Sequence, residues 1–148
     1  MRSYLGLFRA QGQRVFVEVD GAWRLLDVPS AFEMTPGGCR WIYRHAGGLV
    51  AVAAWAATYR HELGLTVDVV EGEPVRLLVT SHVALGGDDG ADPTPARIER
   101  DGAAVVVRAV PDTDVGRRFP DGWFRIEPEE GTAIEHVGGD ELLFTDGR

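Results

Sequence analysis

Hydrophobic and polar positions alternate in short runs along most of this chain. Leu63, Leu65, Val67 and Val69 fall on one side, with Gly64, Thr66 and Asp68 on the other. That is the period of two expected of a half-buried strand. Val15, Val17 and Val19 alternate with Phe16 and Glu18, and Ala22 to Val28 follows a turn at Asp20-Gly21. Beyond a turn at Glu71 to Pro74, the residues Val75, Leu77, Val79, Ser81, Val83 and Leu85 line one face of a long strand. Arg97 to Arg100 and Ala103 to Val110 form a hairpin about Asp101-Gly102, and Trp123 to Glu127, Thr132 to Val137 and Glu141 to Thr145 read as further strands. Asp-Gly occurs five times and Gly-Gly four times. Both dipeptides supply the positive φ values of tight hairpin turns. Segments 86–95 and 111–122, rich in Gly, Asp and Pro, read as loops.

One stretch resists this reading. Leu49 to Glu62 (LVAVAAWAATYRHE) is rich in alanine, the best helix former. As a helix, Leu49, Val52, Ala56 and Tyr59 form a stripe. As a strand, Val50, Val52 and Ala54 oppose Ala51, Ala53 and Trp55. The Gly47-Gly48 turn before it and the strands around it favour the strand, so one short helix within 49–61 is the alternative. Many short strands without βαβ alternation predict an all-β fold, an antiparallel β-sandwich built from hairpins, with a closed barrel second.

Length and charge narrow the classes. At 148 residues the chain is one domain, 1–148, long enough to bury about two-thirds of its unfolded surface. Its final strand and turn stop abruptly at Arg148, which suggests a fragment of a longer protein. The net charge of −8 argues against nucleic acid and anionic membranes as partners. The basic residues are all Arg; the absence of Lys removes Schiff-base and Walker-A chemistry, and the absence of Asn removes glycosylation sites. One cysteine, Cys39, forms no internal disulfide, and no apolar run reaches membrane-spanning length, so a cytoplasmic location is expected. Arg-only basic usage with abundant Ala, Gly and Val suggests a GC-rich, bacterial genome.

Catalytic constellations are thin. His45, His61, His82 and His136 show no metal-ligand spacing, and the acidic loop Gly87 to Asp92 lacks the calcium-loop pattern, so no metal and no cofactor are expected. Ser3, Ser30 and Ser81 lie in no nucleophile-elbow context. Cys39 beside Arg40 is more simply a small hydrophobe than a nucleophile. The aromatic residues are the stronger set. Trp41 and Tyr43 share a face if 40–44 is a strand, and with Arg40 and Arg44 beside them they are the candidate ligand-binding residues. Aromatic faces stack on sugar C–H surfaces, and Arg bonds hydroxyls or carboxylates. Core packing is the competing use of every one of these rings.

The run LGLTVDVVEGEPVRLLVTSHVAL at 63–85 and the run FPDGWFRIEPEEGTAIEHVGGDELLFTDGR at 119–148 resemble the N-terminal β-sandwich of glycoside phosphorylases of the cellobiose phosphorylase type and related (α/α)6-barrel glycosidases. The likeness lies in strand rhythm and spans most of the chain. It implies a domain that is not catalytic by itself, since in that family the general acid lies in the helical barrel. No catalytic residue is carried over. The implied partners are other domains of the parent chain, with carbohydrate as a further contact. Two other readings stand beside it: a self-standing β-barrel that binds a small ligand, and a small enzyme using His82 with a facing carboxylate.

Overall fold

A computed structural model describes residues 12–82 and 95–139. Ten strands and one five-residue helix appear among them, and the chain is an all-β antiparallel sandwich. It divides into two compact units, Gln13–Thr80 and a second unit whose described part is 95–139 with the end of the strand leading from the first.

In the first unit, β1 (Gly12–Val19) and β2 (Ala22–Leu25) make a hairpin, and β7 (Leu77–His82) lies on the other side of β1. The turn is the expected one: Asp20 and Gly21 have φ of 52° and 74°, the left-handed pair that follows strand twist. The second sheet has the order β3-β4-β5-β6, from β3 (Ala31–Thr35), β4 (Gly38–His45), β5 (Gly48–Ala56) and β6 (Leu63–Gly72). Its register gives it one strongly apolar face, because Phe32 pairs with Trp41, Trp41 with Val52, and Val52 with Val67. One row over, Met34, Cys39, Ala54 and Leu65 repeat the pattern. Val17 on β1 and Val50 on β5 are fully buried.

The helix alternative for 49–61 is therefore overturned. Gly48–Ala56 is a strand hydrogen-bonded on both sides, and Val50, Ala51 and Val52 are all buried. Alanine serves here for its size: both faces of the strand are covered, which outweighs helix propensity. Close approach also fixes Gly64, where a Cβ would sit 2.0 Å from the Trp55 ring lying across it.

In the second unit, β8 (Ala96–Asp101), β9 (Ala104–Ala109) and β10 (Trp123–Ile126) form a sheet with β9 central. Asp101 pairs with Ala104, so the turn is Gly102-Ala103, with Gly102 at φ 60°. Two expectations fail here. The segment 111–122 carries the helix α1 (Asp114–Arg118), capped by Thr113, whose hydroxyl accepts from the Gly116 N–H. Thr132 to Val137 forms no strand; Arg100 donates a side-chain hydrogen bond to the Ile134 carbonyl at 2.9 Å, a bond to a side chain in place of a ladder. The expected strand at 141–145, residues 83–85 of the long strand and the whole acidic loop Gly87 to Asp92 lie outside the described residues. Among the described residues every sheet is open, ending in β2 and β7, β3 and β6, or β8 and β10, so no barrel closes. No helix among them is long and apolar enough to cross a membrane.

Candidate functional site

Alternation along β4 decides where the four candidate residues point. Trp41 and Tyr43 lie on the apolar face, while Arg40 and Arg44, one residue out of phase, lie on the opposite face. The structure brings the two aromatics together and separates them from the two arginines. Arg40 approaches Glu33 of β3 at 3.7 Å, and both side chains are well exposed. Arg44 is exposed at the far end of the same face.

Trp41 and Tyr43 border a cavity of about 330 Å³ between the two sheets of the first unit. Val52, Ala54 and Leu65 form its apolar wall, and Gln13, Arg14 and Asp27 add polar groups from β1 and from the segment after β2. Phe32 extends the aromatic wall toward the sheet edge, its ring centroid 5.6 Å from that of Trp41 and tilted by 37°. Burial raises the Tyr43 phenol above its usual range, and the Asp27 carboxylate adds to the effect. Tyr43 therefore stays a neutral hydroxyl, able to donate or accept, throughout the physiological range. The site combines stacking surface with a few polar groups, which suits a neutral polyhydroxylated ligand better than a charged one. Asp27, Gln13 and Arg14 carry no sequence signal for this site, since only the packing of two sheets brings them to Trp41.

The second unit offers a groove of about 420 Å³ along Ile98, Arg100, Val105 and Val137. The other face of its sheet carries a ladder of charges. Arg108 meets Glu99 at 3.4 Å and lies 5.8 Å from the centre of the Trp123 ring; Arg125 meets Asp101 at 2.9 Å and Glu127 at 3.1 Å.

His45, His61 and His136 line neither hollow. His45 Nδ1 accepts the Gly47 N–H at 3.1 Å and so closes the β4–β5 turn. His61 and His136 are exposed. Among the described residues, no three His, Cys, Asp or Glu side chains converge as metal ligands would.

Comparison with known proteins supplies a family. Residues 1–147 match the glycoside phosphorylase supersandwich domain. A 1,2-beta-oligoglucan phosphorylase of Listeria innocua serovar 6a is 28% identical over 126 residues. That alignment covers 85% of this chain and 11% of the relative, so the chain spans about a tenth of that protein's length.

Proposed function

Because the chain belongs to the glycoside phosphorylase supersandwich family, as its match over residues 1–147 shows, we propose that it is a non-catalytic domain of a longer carbohydrate-active polypeptide, where it packs against other domains and contacts sugar. The observation that carries this reading is the number of large apolar side chains left in solvent. Leu63 is 82% exposed, Val28 79%, Met34 73% and Trp123 57%. Apolar surface on this scale fits a domain whose neighbours are missing, because burying each such side chain contributes about 1.5–3 kcal/mol. The relative of about nine times the aligned length supports the same reading. The activity for which that relative is named makes phosphorolysis of a β-linked oligoglucan the reaction proposed for the whole polypeptide. A bacterial source and a cytoplasmic location fit the Listeria relative and the single cysteine.

The sugar contact is assigned to the Trp41–Tyr43 cavity, whose size admits about one hexose ring beside Gln13 and Asp27. Arg40 and Arg44, on the other face of β4, take no part in it.

The test is phosphate release and uptake by the full-length polypeptide, with β-1,2-linked glucan and inorganic phosphate as the probes. The expected result is phosphorolysis by the full-length protein and none by residues 1–148 alone. Turnover by residues 1–148, or a natural reading frame confined to them, overturns the reading. For the cavity, Trp41→Ala in the full-length protein should raise KM several-fold with kcat unchanged; an unchanged KM refutes sugar contact there.

A further inference from the structure

We propose that the outer edge of β3 is a strand-docking site, occupied in the longer polypeptide by an extended segment that places an arginine opposite Glu33, between two apolar residues. The proposal rests on the reading of this chain as one part of a longer polypeptide.

Edge strands are ordinarily blunted, because a free row of N–H and C=O groups recruits other strands. Four of the six sheet edges among the described residues show such devices. β6, at the far side of the same sheet, has a register shift opposite Leu49 and Val50, where Val70 is left without a partner, and it runs into Glu71, Glu73 and Pro74. β8 carries Arg97, Glu99, Arg100 and Asp101 among its six residues. β2 and β10 are four residues long, each with a central arginine. β3 is also short and carries one central charge, Glu33, but it has no register shift, no proline and no second charge. It pairs with β4 in unbroken register from Ala31 to Thr35, and all five residues are exposed. β3 is the end of its sheet, and no backbone bond to its outer side is formed among the described residues.

Its side chains define the occupant. Phe32 and Met34, 50% and 73% exposed, lie on the apolar face, and Phe32 continues the aromatic wall of Trp41. A strand laid beside β3 would bury both with apolar residues spaced two apart. Glu33 points to the opposite face, 65% exposed and 3.7 Å from Arg40, beyond hydrogen-bonding distance. Its carboxylate has room for a second cation. A second copy of this chain fits poorly. The antiparallel two-fold that pairs all five residues sets Glu33 directly opposite its own copy, and like charges facing across a ladder are destabilising. A segment with arginine at the central position satisfies the same geometry with attraction.

Amide hydrogen exchange of the full-length polypeptide, resolved to single residues, tests this. A free edge protects only the amides that bond β4, so alternate residues of 31–35 exchange fast; an occupied edge protects all five. All five should exchange at least tenfold more slowly than the amides of the 57–62 connection. Glu33→Arg should restore the alternation at 31–35 while protection at Val50–Val52 is unchanged. Glu33→Gln should give a smaller increase. Alternating exchange in the wild type overturns the proposal without recourse to a variant. Protection of 31–35 that grows with protein concentration, together with a dimeric mass, also overturns it and assigns the edge to a second copy. Absent phosphorolysis with full protection refutes the carbohydrate reading alone, and phosphorolysis with alternating exchange refutes the docking site alone.

Discussion

The two units are held together by different physics. In Gln13–Thr80 the paired strands set apolar residue against apolar residue, in rows such as Phe32–Trp41–Val52–Val67, and the polar groups turn away. In the described part of the second unit, one face carries ion pairs that run diagonally between rows, Glu99 with Arg108 and Asp101 with Arg125, around the short buried stretch Ala104–Val106. Buried apolar area stabilises by about 25 cal/mol per Å², whereas exposed ion pairs are worth about 0.2–1 kcal/mol each. The first unit should therefore respond to volume and polarity, and the second to salt only weakly.

The largest effect should come from putting charge where the first unit is driest. Val50 is fully buried, and Val50→Asp would strand a carboxylate between sheets with no partner. A loss of about 4–5 kcal/mol is expected, most or all of the stability of a domain at the low end of the ordinary range of about 5–15 kcal/mol. Chemical denaturation checks it. Cooperative unfolding at near wild-type denaturant concentration would mean that the sheets of this unit are not closed over Val50.

Next in size is overpacking at a position that admits no side chain. Gly64→Leu would drive its Cβ into the Trp55 indole, at a cost of about 1–3 kcal/mol. Gly64→Leu with Trp55→Ala should recover part of that loss, since the second change removes the obstacle. Thermal melts of the three variants measure the coupling, and strict additivity would show that the ring does not lie across Gly64.

These two positions also show what could be read in advance. Alternation at Leu63–Val69 and the Asp20-Gly21 turn are local signals, and both appear in the structure. The strand at Gly48–Ala56 was only favoured, because alanine's helical preference competes and burial on both faces is a tertiary fact. β3 leaves little trace in the sequence: five residues with one alternation, Phe32 and Met34 about Glu33, are a weak signal next to their neighbours. The helix at Asp114–Arg118 did leave a trace, in the Thr113 cap, the acidic first turn and the basic last turn, but turn residues masked it. Thr132 to Val137 has a strand's composition and no strand to pair with among the described residues. At the site, the period of two already implied that Trp41 and Tyr43 part company with Arg40 and Arg44. Asp27 and Gln13 reach the cavity only through the meeting of two sheets, which no spacing encodes.

Titration at high pH sharpens the contrast further. The Tyr43 phenol is raised by burial and then by Asp27, so the folded state holds its proton more tightly than the unfolded chain does. Its contribution is fully present below the unfolded phenol value, about 10, and is lost as pH rises through the higher folded value. Stability of the wild type should therefore fall more steeply above pH 10 than that of Tyr43→Phe. Parallel curves for the two proteins would place the hydroxyl in water rather than against Asp27.

The smallest effect belongs to the charged ladder. Arg125 meets both Asp101 and Glu127, and all three side chains are at least 36% exposed. Arg125→Ala should lower stability by about 1 kcal/mol or less at low salt. Screening shortens the reach of exposed charges to about 3 Å at 1 M salt, so the gap between the variant and the wild type should narrow there. Val50→Ala, by contrast, should cost about 2 kcal/mol at either salt concentration, because it removes volume and leaves charge untouched. Melting curves of both variants at low and high salt make the measurement. An Arg125→Ala deficit as large as that of Val50→Ala, and equally indifferent to salt, would mean that the arginine stem packs as an apolar group and that the second unit is held together like the first.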